Sequence, residues 1–267
     1  MIKNILKHRH LKPFNVAITT LFYVLILIII KFFVHKFKLE FLQINTLTGS
    51  AIAGGTFICS FLLSGLIADY KEAEKMPTEI RSSLENILEE AVLFKKNKIG
   101  YDLNKIRKTL LNVIQNFFKG VSHENNHDDL SLCIKSIDSL SDDFHQMENH
   151  GMLPNYLVRL KSEQGNLRKN VLRVFHIQKT QFLPSAYILA ESIVSLLVFL
   201  LLFIKTEGSP ESMILFGFIS YMFIYITRLI RTIEQPFQEG DSSLDDVSLF
   251  LLHDFEEKLK LQNFKDK

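Results

Sequence analysis

Four stretches of this sequence are long and apolar enough to cross a bilayer, and no other feature constrains the fold as strongly. Roughly 30 Å of hydrocarbon takes about 20 residues at about 1.5 Å each. Residues 14–34, 44–68, 185–204 and 213–230 each supply such a run. Inside lipid the backbone must satisfy its own hydrogen bonds, which leaves helices or closed barrels. These runs are too long for strands and lack period-two alternation with turn punctuation. The expected fold class is an all-α membrane protein with four transmembrane helices in two pairs. The first run is too long for a signal-peptide core and no small-residue cleavage site follows it, so it is expected to remain as an anchor.

The 267 residues are 47% hydrophobic yet 22% charged, so the membrane part has a polar companion. It lies between the pairs, at 69–183, with seventeen Lys and Arg against sixteen Asp and Glu. Apolar residues recur there at helical spacing in Ile80, Leu84, Ile87, Leu88 and Val92, and again in Leu103, Ile106, Leu110, Val113, Ile114 and Phe117. Pro77 is expected near the start of the first of these helices. Breaks at 120–128 and 151–154 set off two more helices, 129–147 and 155–181. The expected division is a membrane pair (1–68), a helical cytosolic domain (69–183), a second membrane pair (184–230) and a cytosolic tail (231–267).

Basic residues fix the expected orientation. Lys3, Lys7, Arg9 and Lys12 precede the first span, while Arg228 and Arg231 end the fourth. Both termini and the central segment are therefore expected in the cytoplasm. Lys36 and Lys38, after the first span, run against that bias.

Several function classes drop out. A net charge of +2, from 31 basic and 29 acidic residues, gives no field for nucleic acid. Cys59 and Cys133 show neither disulfide nor metal spacing and read as free thiols. There is no phosphate-cradling glycine loop, no GxSxG, no HExxH and no paired CxxC, so neither catalysis nor a cofactor is expected. His123 and His127 stand four apart beside Glu124 and Asp128, but the Asn-rich context reads as a solvated turn rather than a metal site.

The second run is the least greasy. Gly49, Ala53, Phe57 and Phe61 recur every four residues, with Ser50, Gly54 and Ile58 beside them and Gly55 adjoining. Two readings fit. Gly49, Gly54 and Gly55 allow close helix packing with the phenylalanines as filler, or several copies around an axis place rings of Phe at a narrow throat that gates by dewetting. A shifted register would instead turn Ile52, Thr56 and Ser60 inward. Glu191, a carboxylate inside the third run, is read either as a pore-proximal or subunit-contact group or as an interfacial hydrogen-bonding residue.

The last 85 residues or so carry a resemblance. Leu183-Pro184-Ser185-Ala186-Tyr187-Ile188-Leu189 resembles the Pro-x-x-Tyr opening of the third bestrophin helix. Phe218-Ile219-Ser220-Tyr221-Met222-Phe223 and Ile233-Glu234-Gln235-Pro236-Phe237-Gln238-Glu239 are similar to the fourth helix and the Pro-Phe segment after it. The order of two helices, a helical segment, two helices and a tail is also that of bestrophins. Family members follow the second helix with an Arg- and Trp-rich segment, whereas this chain has Asp69-Tyr70-Lys71-Glu72-Ala73-Glu74 and no Trp.

The resemblance, in its bacterial form, implies a homopentameric channel in the lipid bilayer of a bacterial inner membrane that passes monovalent ions, of either sign in this family, chloride among them. The second helix would line an apolar neck, with Phe57 and Phe61 as neck phenylalanines and Ala53 one turn further out. Pro236 and Phe237 would act as a tail clamp. Gln235, Glu239 and Asp241 match calcium-binding positions of eukaryotic members, but Gly240, Ser242 and Ser243 interrupt the acidic run, so no metal is expected. A membrane-anchored scaffold or sensor whose cytosolic helices bind a partner protein is the rival reading. An alternating-access transporter is a second, for which the paired broken helices are missing.

Overall fold

The computed structural model describes residues 15–43, 45–98, 100–122, 127–180, 184–206, 208–234, 236–237 and 246–265. Among them are eight helices: α1 (Asn15–Lys36), α2 (Thr46–Asn97), α3 (Leu103–Ser122), α4 (His127–Asn149), α5 (Pro154–Lys179), α6 (Pro184–Phe203), α7 (Pro210–Ile233) and α8 (Phe250–Lys265). The only pairing of extended backbone among the described residues is the isolated Leu42–Ile204 bridge. The fold is all-α. Four helices, α1, α2, α6 and α7, are long and apolar enough to cross a membrane, and the chain is an integral membrane protein.

The chain divides into two compact units. The membrane unit holds α1, the first part of α2, α6 and α7; the polar unit holds the rest of α2 with α3, α4, α5 and α8.

In the membrane unit α2 packs its Cys59 against Val194, Leu197 and Val198 of α6 and Phe223 of α7. Nearer Tyr70, Leu62 and Leu66 meet Ala190 of α6 and Ile230 of α7. Two glycines set the spacing. A Cβ on Gly55 would lie 2.4 Å from Leu197 Cδ1, and one on Gly217 would lie 3.0 Å from Ile28 Cδ1. Lipid tails give helices no hydrophobic reason to associate, so such close approach supplies the dispersion contacts that hold them.

One end of this unit is tied by charge. Lys31 of α1, fully buried, donates to Glu40 Oε1 at 2.6 Å and to the carbonyls of Leu202 at 2.9 Å and Ile204 at 2.5 Å. Its three protons therefore meet three acceptors, two of them at the C-terminal end of α6, where a cation also offsets the helix dipole. Glu40 Oε1 also accepts from the Thr206 hydroxyl at 2.8 Å, and its Oε2 faces His35 Nδ1 at 3.0 Å. Burial alone would raise the Glu40 pKa, but the bonds from Lys31, His35 and Thr206 outweigh it and lower it to about 2. Gly208, at φ +68, lies so close to the His35 ring that a Cβ would meet its Nε2 at 2.4 Å. This network pins the connection that leads into α2.

The polar unit is a helical bundle around Ile80, Leu84, Ile87 and Leu88 of α2, Ile106, Leu110, Val113, Ile114 and Phe117 of α3, and apolar residues of α4, α5 and α8. The helical spacing read from sequence marks these α2 and α3 core positions; Val92 is half-buried. Glu72 and Arg173 join α2 to α5 through two bonds, Nε–Oε1 2.8 Å and Nη2–Oε2 2.5 Å. The tail helix α8 buries Leu252, Phe255 and Leu259, and Arg81 bonds its Asp254 at 2.7 Å.

The sequence places two breaks where the structure has helix. Pro77 lies inside α2, which runs unbroken from Thr46 to Asn97. Proline removes one i→i−4 bond and crowds the carbonyl of Ala73, but a 52-residue helix packed along a core, with Pro77 itself buried, absorbs that loss. Gly120 belongs to α3 because its missing side chain admits the Phe175 ring, whose Cζ would stand 2.4 Å from a Cβ there. Residues 123–126, including His123 and Glu124, lie outside the described residues.

Candidate functional site

Within the membrane unit α2 presents two unlike faces. One, through Ile52, Gly55, Cys59, Leu62 and Leu66, is spent on α6 and α7. The other is left exposed and carries Gly49, Ser50, Ala53, Gly54, Phe57, Ser60, Phe61 and Ser64. Phe57 and Phe61 are 72% and 69% exposed, and a Cβ on Gly49 or Gly54 would meet nothing within 4 Å. Gly55 thus packs helices within the chain, while Gly49 and Gly54 face outward with Ala53, Phe57 and Phe61. The exposed faces of α1 and α7 differ in kind from this one: α1 shows Leu21, Phe22, Leu25, Ile29, Phe32 and Phe33, and α7 shows Ile214, Leu215, Phe218 and Met222. Bulky aliphatic and aromatic surfaces suit lipid; a face of glycine, alanine and serine suits protein or water.

Of the shifted register, Ile52 packs beside the Cys59 cluster and the half-buried Thr56 hydroxyl donates to the Ile52 carbonyl at 2.9 Å, while Ser60 is exposed.

Glu191 pairs with Arg231 of α7, Oε1 lying 2.6 Å from Nε and 2.5 Å from Nη2. A carboxylate costly in an apolar span thereby acquires a guanidinium that grips one of its oxygens. Arg228 lies over the Tyr23 ring of α1 at 5.4 Å, a cation–π contact. In the tail, Phe237 is buried and the Val247 N–H donates to the Pro236 carbonyl at 2.6 Å, both within the polar unit. Gln235, Glu239 and Asp241 lie outside the described residues. Among the described residues no group of three or more His, Cys, Asp or Glu is arranged to hold a metal ion.

Two clusters escaped the sequence reading. Lys31 stands inside the first apolar run, and an intramembrane charge is itself a signal for a buried partner; the partner, Glu40, lies in a connection and could be paired with it only in three dimensions. Tyr187 near the start of α6, Glu234 at the end of α7 and Asp69 of α2 come together within the membrane unit.

No protein-family profile matches the sequence, and no curated protein matches it. Solved structures do. A crystal structure of a bacterial bestrophin homologue from Klebsiella pneumoniae, a point variant, superposes with a TM-score of 0.75 at 13% identity, covering 93% of this chain and 99% of that one. A second variant of that homologue gives 0.75 at 13% identity, with 92% and 98% covered, and a third gives 0.73 with the same identity and coverage. Superposition over nearly the whole of both chains shows that this chain has the fold of the bacterial bestrophin homologues.

Proposed function

We propose that this chain is one subunit of a bestrophin-like channel, a homopentamer that conducts monovalent ions passively through a neck lined by the exposed face of α2. The observation that carries the reading is that face itself, a row of small residues interrupted by Phe57 and Phe61 and left uncovered by the chain's own helices. Copies set around an axis would bring the phenyl rings together, with Ala53 one turn away. An ion stripped of hydration at such a constriction meets a barrier of several kcal/mol, which is how an apolar neck gates. The small residues let neighbouring copies of α2 approach closely. The tail, through Pro236 and Phe237, would hold the assembly, and the termini would share the cytoplasmic side with the polar unit.

Flux through liposomes tests this. Phe57→Ala/Phe61→Ala should widen and wet the throat and raise ion flux over the parent, whereas Ile52→Ala/Thr56→Ala, on the packed side, should not. A rise confined to the Ile52/Thr56 variant overturns the register; no rise in either removes α2 as the gate. The mass of the detergent-solubilised oligomer should correspond to five copies, and a monomer without flux would favour a membrane-anchored scaffold.

A further inference from the structure

At the end of the membrane unit opposite Lys31, the channel reading leaves a group of charges unused. α7 ends at Ile233 and Glu234 is its C-cap, the Glu234 N–H donating to the Ile230 carbonyl at 3.2 Å. A carboxylate is badly placed there, because the last carbonyls of a helix already carry partial negative charge, and this one is half-buried. Its Oε1 is buried and faces the equally buried Tyr187 hydroxyl of α6, but neither atom makes a hydrogen bond of good geometry among the described residues.

The one cation that faces it among the described residues is shared. Arg231 of α7 faces Glu234, but its guanidinium is held by Glu191 of α6 at 2.5 and 2.6 Å. Asp69 of α2 turns a further negative charge toward Tyr187. From α6 and α7, an ionised Glu234 therefore meets one other carboxylate, Glu191, one arginine already engaged by it, and the Tyr187 phenol, which Asp69 of α2 faces as well. A proton resolves the conflict, because a neutral carboxyl gains an O–H donor and loses the repulsion. Burial pushes the Glu234 carboxyl above the ordinary range, with Tyr187 and Arg231 pulling the other way.

We infer that Glu234 is a proton-binding site whose occupancy sets how tightly α7 holds α6 and α2 at this end of the membrane unit. Resting on the channel reading, the consequence is that flux depends on the pH bathing that end. The layer directly adjoining is Leu62 and Leu66 of α2 with Ala190 and Ile230, so repulsion from ionised Glu234 loosens the pore helix one to two turns from Phe61 and Phe57.

The test uses the full chain, as parent, Glu234→Gln and Tyr187→Phe, in two measurements from about pH 4 to about pH 8. In detergent the part of the parent's unfolding midpoint that depends on Glu234 should fall as pH rises: the folded state binds the proton more tightly than the unfolded state, so the stability is present below the unfolded carboxylate value and is lost through the higher folded one. Glu234→Gln should flatten that slope, and Tyr187→Phe should move it to higher pH. In liposomes the parent's flux should rise with pH, and Glu234→Gln should hold the low-pH value throughout. An unchanged stability slope in Glu234→Gln overturns the proton site. A flattened slope with pH-independent parent flux overturns the coupling to conduction. A parent without flux at any pH overturns the channel reading and the coupling with it, while the stability measurement still decides the proton site.

Discussion

Replacing Lys31 with methionine should cost about 3–5 kcal/mol of stability, the usual cost of breaking a buried ion pair from one side. Methionine keeps the length and apolar contacts of the stem but removes the ammonium. What remains is a Glu40 carboxylate whose side chain is 8% exposed, together with the Leu202 and Ile204 carbonyls that had accepted at 2.9 and 2.5 Å. Each buried acceptor left alone costs about 1–3 kcal/mol, so the carbonyls and the carboxylate together account for the estimate. A more apolar α1 partitions better into lipid, so this change works against membrane solvation and isolates the network. The assay is denaturant unfolding of the detergent-solubilised chain followed by helical circular dichroism, which suits a sequence without Trp. Lys31→Met/Glu40→Gln should be less damaging than the sum of the single changes, with a coupling of about 1–3 kcal/mol. A single-variant cost below about 1 kcal/mol, with additive effects, would refute the claim that this network holds the connection into α2.

The same network predicts acid sensitivity: with the Glu40 pKa lowered to about 2 from a model-compound value of 4.5, about 3 kcal/mol is present above the unfolded value and lost as pH falls through about 2, and Glu40→Gln should abolish that loss in acid titrations of unfolding. Gly55→Val should cost about 1–3 kcal/mol by overpacking against Leu197, whereas Gly54→Ala should leave the isolated chain unharmed and weaken only the oligomer, read by unfolding and by mass in parallel. Phe237→Ala, at a site 2% exposed, should lower stability by about 3–5 kcal/mol, and the clamp reading requires the oligomer to loosen as well. Because Cys59 and Cys133 are both buried, a single cysteine placed in residues 208–212 gives a clean labelling signal, expected only from the side opposite the termini.

Much of the fold was legible because two signals do not depend on tertiary context. Span length is set by the bilayer, and the spacing of Ile80, Leu84, Ile87 and Leu88 or of Ile106, Leu110, Val113 and Ile114 is set by helix geometry; all of these are buried. The misread positions are those where a local rule yields to packing. Pro77 and Gly120 are helix breakers by intrinsic preference, yet each sits in a helix whose neighbours use what it lacks or tolerate what it costs. Lys31 with Glu40, and Glu234 facing Tyr187, are brought together across sequence distance and connections, so periodicity carried no trace of them.

The face of α2 shows where the sequence stops and why the small residues matter more than the rings. A helix apolar on every side offers no contrast between a packed and a free face, so Phe57, Phe61, Cys59, Leu62 and Leu66 look alike in one dimension. Gly55 breaks the symmetry, because there, unlike at Gly49 and Gly54, Leu197 occupies the space a side chain would need; once that side is committed, Phe57 and Phe61 point away. Their exposure alone proves little, since lipid solvates a phenyl ring as well as protein does. Ser50, Ser60 and Ser64, with Gly49, Ala53 and Gly54, are another matter. Facing acyl chains they would offer lipid shallow grooves and hydroxyls, while facing a second α2 or a wet pore they gain close contacts and hydrogen-bond partners. The assignment of this face to the neck therefore rests on what lies between the phenylalanines, and the contrast between the Phe57/Phe61 and Ile52/Thr56 variants separates the two sides of one helix.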